Sequence, residues 1–434
     1  MSAERKRYAI VGVGSRSRMY TKAIAQTYRK HGELVGVCDT NAARIALCNH
    51  SLPAGHSELP AFAPGEFGKM IAQTHPDVVV VTSIDVTHSD YIVAAMRAGC
   101  DVITEKPLTI DQARCTAILE TVRDTGRELT VTFNYRYAPP RSHVKELLAG
   151  GAIGDILSLD FHWMLDTRHG ADYFRRWHRR RENSGSLLVH KATHHFDLVN
   201  WWLGARPVEV FAQAGRNFYT PQTADRQFGL TGRSSRCHTC KVHEKCPFFL
   251  DLAAKAELKT MYLDCEHADG YIRDGCVFSD EIDIWDSMSL TVAYDTGATM
   301  SYSLNAFCPV EGYAVAFNGS AGRLEHRACE NSYISGDGTV PGELSSGSVA
   351  IALIPAFEKP RQIDPHTGAG GHGGGDELLL ADIFDPGAPP DSLGRRAGHL
   401  DGAYSILTGI AACESIDTGR AVRIVDLADE SLLR

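Results

Sequence analysis

The first 134 residues alternate between short apolar runs and stretches whose apolar positions recur every three or four residues. Tyr8–Val11, Glu33–Cys38, Pro76–Thr82, Asp101–Thr104 and Glu128–Asn134 read as strands. Val78-Val79-Val80-Val81 is apolar on both faces, which predicts a strand inside a parallel sheet covered on both sides. Between the strands, Met19, Ile24 and Ala25, then Phe67–Thr74, Asp90–Ala98 and Asp111–Thr125, carry helical spacing. This alternation predicts a doubly wound α/β unit. From Ile156 the pattern changes. Ile156–Trp163, Val208–Ala214, Ser287–Tyr294, Ala298–Asn305, Tyr313–Asn318 and Arg323–His326 alternate at every second residue. The last four form two hairpins, turned at Asp295-Thr296-Gly297 and at Gly319-Ser320-Ala321-Gly322. Helical spacing returns over Ser184–Gly204, Glu377–Phe384 and Gly398–Ile416, and Val422–Val425 reads as a final strand.

The first strand brings in the first chemistry. It ends in Gly12-Val13-Gly14-Ser15-Arg16-Ser17 and opens a helix. Gly12 permits a tight turn, Gly14 lets the backbone approach a pyrophosphate, and the helix N-terminus faces the negative charge. Ser17 stands where a third glycine is usual, so the fingerprint is incomplete. The second strand ends in Asp39, about 20 residues beyond the glycines, where an acid hydrogen-bonds a ribose 2′-hydroxyl. Asp39 repels a 2′-phosphate and so favours NAD, while Arg16 and Arg44 leave NADP open. A helix N-cap is the plainer reading of Asp39, and the neighbouring glycines weigh against it.

Ligands of such sheets bind at the carboxyl ends of the strands. There the chain places Ser83, Asp85 and His88, and then Glu105-Lys106-Pro107. An amine at Lys106, its pKa lowered by burial, can hydrogen-bond a substrate hydroxyl and help remove its proton. A solvated turn lysine is the alternative.

Composition narrows the class. The chain has 434 residues, 44% hydrophobic and 22% charged, as in a soluble protein of two or three compact units. A net charge of −9 argues against nucleic acid as a partner. No run has membrane-spanning length, and the first strand begins too early for a signal peptide, so the cytoplasm is the expected location. Of 12 cysteines, five fall from Cys237 to Cys276. In a reducing compartment that clustering suggests a metal. Cys237-x2-Cys240-x5-Cys246 is thiolate-ligand spacing. Cys276 follows Arg273, whereas Cys265 lies between Asp264 and Glu266, so Cys276 is the better fourth ligand of a structural zinc. Disulfides, free thiols and an iron–sulfur cluster are the alternatives.

The glycine turn, Asp39, the Asp85/His88 loop and Glu105-Lys106-Pro107 together resemble the Gfo/Idh/MocA family, the relatives of glucose–fructose oxidoreductase and inositol dehydrogenase. The resemblance runs on through Asn134-Tyr135-Arg136-Tyr137 and Gly151-Ala152-Ile153-Gly154 and covers most of the chain. It implies a Rossmann NAD(P)-binding domain over 1–134. Residues 135–434 then form an α+β substrate domain on a large, open, mostly antiparallel sheet, with a Cys-rich insertion at about 216–285. It also implies a homodimer or homotetramer acting on a sugar, glycoside or polyol. Gly12, Gly14, Ser15, Arg16, Ser17, Asp39, Ser83, Asp85, His88, Glu105 and Lys106 are the expected cofactor residues.

In the family the helix after the glycine at 185 usually reads Asp-x-Gly-x-His-x-x-Asp. His194 and Asp197 match, Ala192 replaces the glycine, and His190 replaces the first acid, which puts the usual acid–base arrangement in question. The expectation is His194 as acid/base, with Lys106 and Lys191 on the reacting hydroxyl and His190 beside them. His190 and His194 also have a metal-ligand spacing, and plain helix packing is as good a reading of His195. Tyr135, Arg136, Trp163, Arg176, His178, His195 and His372 are the expected substrate residues. His372 and Asp376 lie in a glycine-rich loop similar to a His-Gly-Gly-x-Asp segment of the family's sugar-acting branch, which includes NAD-dependent N-acetylgalactosaminidases; a flexible linker is the alternative. Three functions follow. The first is an oxidoreductase of a secondary hydroxyl. The second is a redox-neutral glycoside hydrolase or lyase that oxidises the hydroxyl transiently. The third is a non-catalytic NAD-binding sensor.

Overall fold

The computed structural model of the chain describes residues 5–331, 343–368 and 370–434. Six strands form one sheet: β1 (Lys6–Val11), β2 (Gly32–Cys38), β3 (Ala61–Phe62), β4 (Val78–Val81), β5 (Asp101–Thr104) and β6 (Leu129–Val131). Their order is β3-β2-β1-β4-β5-β6 and every pair is parallel. Apolar side chains leave both faces, which is why the strands read as unbroken apolar runs. Val11, Val79, Val81 and Val102 meet Ile92, Met96 and Leu119 on one face. On the other, Tyr8, Ile10, Val37 and Val80 meet Tyr20 and Ile24. Each such aliphatic side chain contributes roughly 1.5–3 kcal/mol on burial. The order reverses between β1 and β4, and the crevice at that switch point opens at the strands' carboxyl ends.

Nine further strands form the second sheet: β7 (Ile156–Asp166), β8 (Pro207–Gly215), β9 (Ser287–Tyr294), β10 (Thr299–Cys308), β11 (Gly312–Gly319), β12 (Gly322–Asn331), β13 (Glu343–Pro355), β14 (Arg361–Ile363) and β15 (Val422–Arg423). Their order is β14-β13-β12-β11-β7-β10-β9-β8-β15. Only β7 and β10 run parallel; the other pairs are antiparallel. The molecule is therefore α/β, with a Rossmann-like parallel sheet followed by a mostly antiparallel one. Both hairpins expected from the alternation, β9–β10 and β11–β12, are present. No helix among the described residues is long and apolar enough to cross a membrane.

Two elements differ from the sequence reading. The strand expected to reach Asn134 stops at Val131, and the chain turns through a single short helix at Asn134–Tyr137. The helix expected across Ser184–Gly204 is broken into Leu187–His190 and Thr193–Leu203. The break is a wide turn in which Ala192 N donates to the Leu187 carbonyl, five residues back, at 2.8 Å. That extra residue shifts the phase of the second half, so His190 and Asp197, seven residues apart, fall on different faces. Gly409 in helix His399–Thr418 lies against this turn; a Cβ there would stand 2.3 Å from the Leu188 carbonyl oxygen.

Candidate active site

One long cleft, enclosing about 2070 Å³ with its open mouth included, runs from the carboxyl ends of β1, β2 and β4 to the helices that cover the second sheet. Gly12 has φ +83°, and a Cβ on it would lie 2.6 Å from the Ser83 backbone. The turn therefore closes only on glycine. A Cβ on Gly14 would meet nothing within 4 Å, so the backbone there is open to the cleft. Ser17 does not line the cleft; its hydroxyl donates to the Gly14 carbonyl at 2.8 Å and locks the turn. A serine side chain thus does structural work where the usual fingerprint has glycine.

Asp39 follows the end of β2 and lines the cleft with a buried carboxylate. It accepts from Val13 N at 2.7 Å and from Asn41 N at 2.8 Å, and Arg44 stands 3.5 Å away. Arg44 also donates to Asp269 at 2.5 Å. Open backbone at Gly14, a buried acid at the ribose position and the strand-end crevice fit a dinucleotide cofactor.

Further along, Arg16 donates to Glu105 at 2.6 Å, and Tyr20 OH donates to the same oxygen at 2.7 Å. Burial works against the Glu105 carboxylate, yet Arg16 and Tyr20 hold its pKa below the ordinary value. His88 is buried with Nδ1 2.8 Å from the Pro107 carbonyl, which ties the Glu105-Lys106-Pro107 turn to the Ser83–Asp85 loop. The Lys106–Pro107 bond is cis.

At the far end Lys106, His190 and Asp85 form a hydrogen-bonded chain. Lys106 Nζ lies 3.3 Å from His190 Nε2, and His190 Nδ1 lies 2.5 Å from Asp85 Oδ2. An ammonium can only donate, so Nε2 accepts and Nδ1–H donates to the carboxylate. Burial pushes the Lys106 amine down to about 8, against the pull of Asp85 and Glu105. It pushes the Asp85 carboxyl up and the imidazoles of His190, His194 and His178 well below their usual range. These rings are therefore neutral near pH 7.

His194 stacks on Tyr135 with ring centres 4.0 Å apart, and its buried Nδ1 has no hydrogen-bond partner among the described residues. Lys191 donates to Tyr135 OH at 2.8 Å. His372 enters from the glycine-rich segment with φ +52°, its Nδ1 2.9 Å from Asp376. Asn134 donates to Asp376 at 2.7 Å. Ala369 of that segment lies outside the described residues.

Arg176 and His178 also line the cleft, as do Gly12, Gly14, Ser15, Arg16, Asp39, Ser83, Asp85, His88, Glu105 and Lys106. Tyr135, His190, Lys191, His194 and His372 are there too. Three residues expected on the substrate stand behind the wall instead. Arg136 is 2% exposed and pairs with Asp197 at 2.5 Å and Asp401 at 2.8 Å, anchoring Thr193–Leu203. Trp163 is fully buried, stacked on His195 at 3.9 Å and on Tyr313 at 4.8 Å. His195 lies 2.6 Å from Tyr302 OH and faces the second sheet, because the helix presents adjacent residues to different sides.

Other lining residues escaped the sequence reading. Glu311, Glu330, Tyr262, Asp269 and Tyr271 all face the cleft. Glu311 accepts from Asp166 N at 2.7 Å and lies 2.9 Å from His169 Nδ1. Glu330 pairs with the buried Arg141 at 2.6 Å. These acids sit singly on or beside strands with no flanking pattern, and only a count of acids at inward strand positions could have flagged them. Cys237, Cys240, Cys246 and Cys276 do not reach this cleft; they line a separate cavity.

The model of an oxidoreductase family with an NAD-binding Rossmann fold matches residues 6–133, and that of the family's C-terminal alpha/beta domain matches residues 145–424. The chain belongs to the Gfo/Idh/MocA oxidoreductase family. Within the family it is 37% identical to the protein YteT of Bacillus subtilis strain 168, over 97% of this chain and 98% of that one. D-Glucoside 3-dehydrogenase of Escherichia coli K12 is 30% identical over 36% of this chain and 42% of its own length. Among solved structures, the WlbA dehydrogenase of Bordetella pertussis, in complex with NADH and UDP-GlcNAcA, superposes with a TM-score of 0.63. It is 16% identical and covers 97% of this chain and 99% of its own.

Proposed function

We propose that this protein is an NAD-dependent dehydrogenase acting on a secondary hydroxyl of a sugar, glycoside or inositol. The observation that carries the reading is the Asp85–His190–Lys106 chain at the end of the dinucleotide cleft, beside the unpartnered Nδ1 of His194. The bound nicotinamide would accept hydride from the hydroxyl-bearing carbon. The protein's own residues do the rest. Neutral His194 takes the hydroxyl proton. Charged Lys106 holds the oxygen as negative charge develops on it and the C=O bond forms. His190 accepts from Lys106 and is itself fixed by Asp85, so both the tautomer and the position of the amine are set before substrate arrives. Lys191 and Tyr135 border the same space, with His372 and His178 as polyol contacts. The Asp39–Arg44–Asp269 network supports NAD over NADP, because Arg44 is already engaged by two carboxylates. The relative named as a glucoside 3-dehydrogenase supports a secondary hydroxyl as the reacting group.

The test incubates the protein with NAD⁺ and a panel of sugars, inositols and glycosides, following NADH absorbance and released aglycone together. NADH that accumulates with turnover, without aglycone release, is the expected result. Aglycone released at constant NADH would establish the redox-neutral reaction and overturn this reading. Tight NAD binding with no turnover on any member would point to a sensor.

A further inference from the structure

The segment between β8 and β9 has little regular structure; its longest helix, Pro221–Phe228, has 8 residues. Nonetheless it closes one end of the cleft. Tyr262, Asp269 and Tyr271 line the cofactor half, and the Arg44 guanidinium lies 5.9 Å from each tyrosine ring centre. Asn41 also donates to the Cys265 carbonyl at 3.0 Å. Ordering a long segment with so few helices costs conformational entropy that small folds usually offset with a staple.

The cysteines stand where the two arms of this segment meet. An isolated antiparallel bridge pairs Arg236 with Gly275. Cys237 N donates to the Asp274 carbonyl and Cys276 N to the Ser235 carbonyl, both at 2.8 Å. Cys240 N donates back to the Cys237 carbonyl at 3.0 Å. The bridge brings Cys276 beside a turn that lies far from it in sequence. Cys237, Cys240, Cys246 and Cys276 then line one cavity, enclosing about 360 Å³ with its open mouth included and walled by Leu230, Phe248, Val277 and Phe278. None of the four is in a disulfide. Cys237 Sγ accepts from Leu250 N at 3.5 Å and from Arg175 Nη1 at 3.7 Å. The backbone amides of Phe248 and Phe278 face the sulfurs of Cys246 and Cys276. Hydrogen bonds from backbone and guanidinium donors to sulfur are the outer contacts that metal-bound cysteines make. Cys265 is elsewhere, its thiol donating to the Thr260 carbonyl at 3.0 Å. No three of the sulfurs converge to within 4.8 Å of one another. A single zinc ion, with bonds of about 2.3 Å, draws such a ring inward, whereas a cluster seats each thiolate on its own iron and spans a wider one.

We propose that Cys237, Cys240, Cys246 and Cys276 hold a thiolate-bound metal centre, zinc or an iron–sulfur cluster, that fixes the segment closing the ribose end of the cleft. The second half of the proposal rests on the cofactor reading above; the first does not.

The test uses the full chain purified both in air and without oxygen. Zinc, iron and acid-labile sulfide are measured per chain, the visible spectrum is recorded, and NAD⁺ affinity is measured by calorimetry. About one zinc per chain identifies the ion, and iron with equal sulfide and broad visible absorption identifies the cluster. Either outcome supports the centre. Cys246→Ser and Cys276→Ser lose the metal, while Cys329→Ser, at an exposed position outside the cavity, keeps it. Where a serine variant fails to fold, stripping the native chain with chelator and reductant gives the same readout. Loss of metal weakens NAD⁺ binding roughly tenfold, a coupling of ordinary size. A metal-free protein from both preparations, with its four thiols free or paired as disulfides, overturns the centre. Unchanged NAD⁺ affinity after stripping overturns its role at the cleft. If the metal-loaded chain binds no NAD⁺ at all, the cofactor reading fails and the metal content stands by itself.

Discussion

The two ends of the cleft are built on opposite principles. At the ribose end every charge is answered. Asp39 has two backbone donors and Arg44, and Arg44 has Asp269 as well. At the reaction end, groups are buried and left short of partners. His194 and His178 each keep an unbonded Nδ1 among the described residues, and burial shifts Lys106 and three imidazoles away from their ordinary pKa values. A network whose charges are paired with one another selects neutral hydroxyls and tolerates no additional charge. An unsaturated one stays poised to exchange protons, at a cost in stability met by the packing around it.

The comparison breaks first at Lys106. Lys106→Met removes the cation proposed to hold the reacting oxygen, and kcat is predicted to fall about 10³-fold while NAD⁺ affinity stays within about twofold. Steady-state kinetics alongside NAD⁺ titration checks both, and equal losses in the two would mean that Lys106 serves binding instead. Next comes Arg136. Because it is buried against Asp197, Arg136→Ala should cost about 3–5 kcal/mol of stability, with KM for the polyol unchanged in the folded fraction. A raised KM at unchanged denaturation midpoint would return Arg136 to the substrate site.

At the ribose end, Asp39→Ala removes a charged acceptor worth about 1.5–3 kcal/mol, so NAD⁺ binding should weaken roughly 10- to 100-fold with little change in kcat. The pH profile sharpens the contrast further. Lys106 acts in its charged form, and its pKa is about 8. Oxidation should therefore hold below that value and decline as pH rises through it; Lys106→Arg should move the decline upward by more than about one unit. A profile flat to pH 10, roughly where an ordinary lysine titrates, would contradict the burial of this amine. The smallest effect expected is at Asp269. Asp269→Asn releases one of the two acids on Arg44, and the ratio of NADP⁺ to NAD⁺ activity should rise about five- to tenfold. No shift in that ratio would mean that Asp39 alone sets the preference.

Much of this was legible in the chain. The apolar runs and glycines near the N-terminus specify their structure locally, because a strand buried on both faces and a turn needing positive φ each limit the residues allowed. Asp39, Glu105 and Lys106 were readable because they sit at fixed offsets from strand ends. The His190–Asp197 segment was readable as helical, but the wide turn at Ala192 was not, since no residue there forbids a regular helix. Gly409, more than two hundred residues away, lies against that turn.

The sequence by itself determined the two sheet types, the glycine turn, the position of the acid at the second strand's end and the lysine ahead of the proline. Each depends on short-range periodicity or on backbone conformations that few side chains permit. Only the tertiary structure decided that His190 pairs with Asp85, that Arg136, Trp163 and His195 serve packing, and that Glu311 and Glu330 face the cleft. Those pairings join segments distant along the chain, and they are fixed by the docking of one sheet's helices on the other, a property no local pattern encodes.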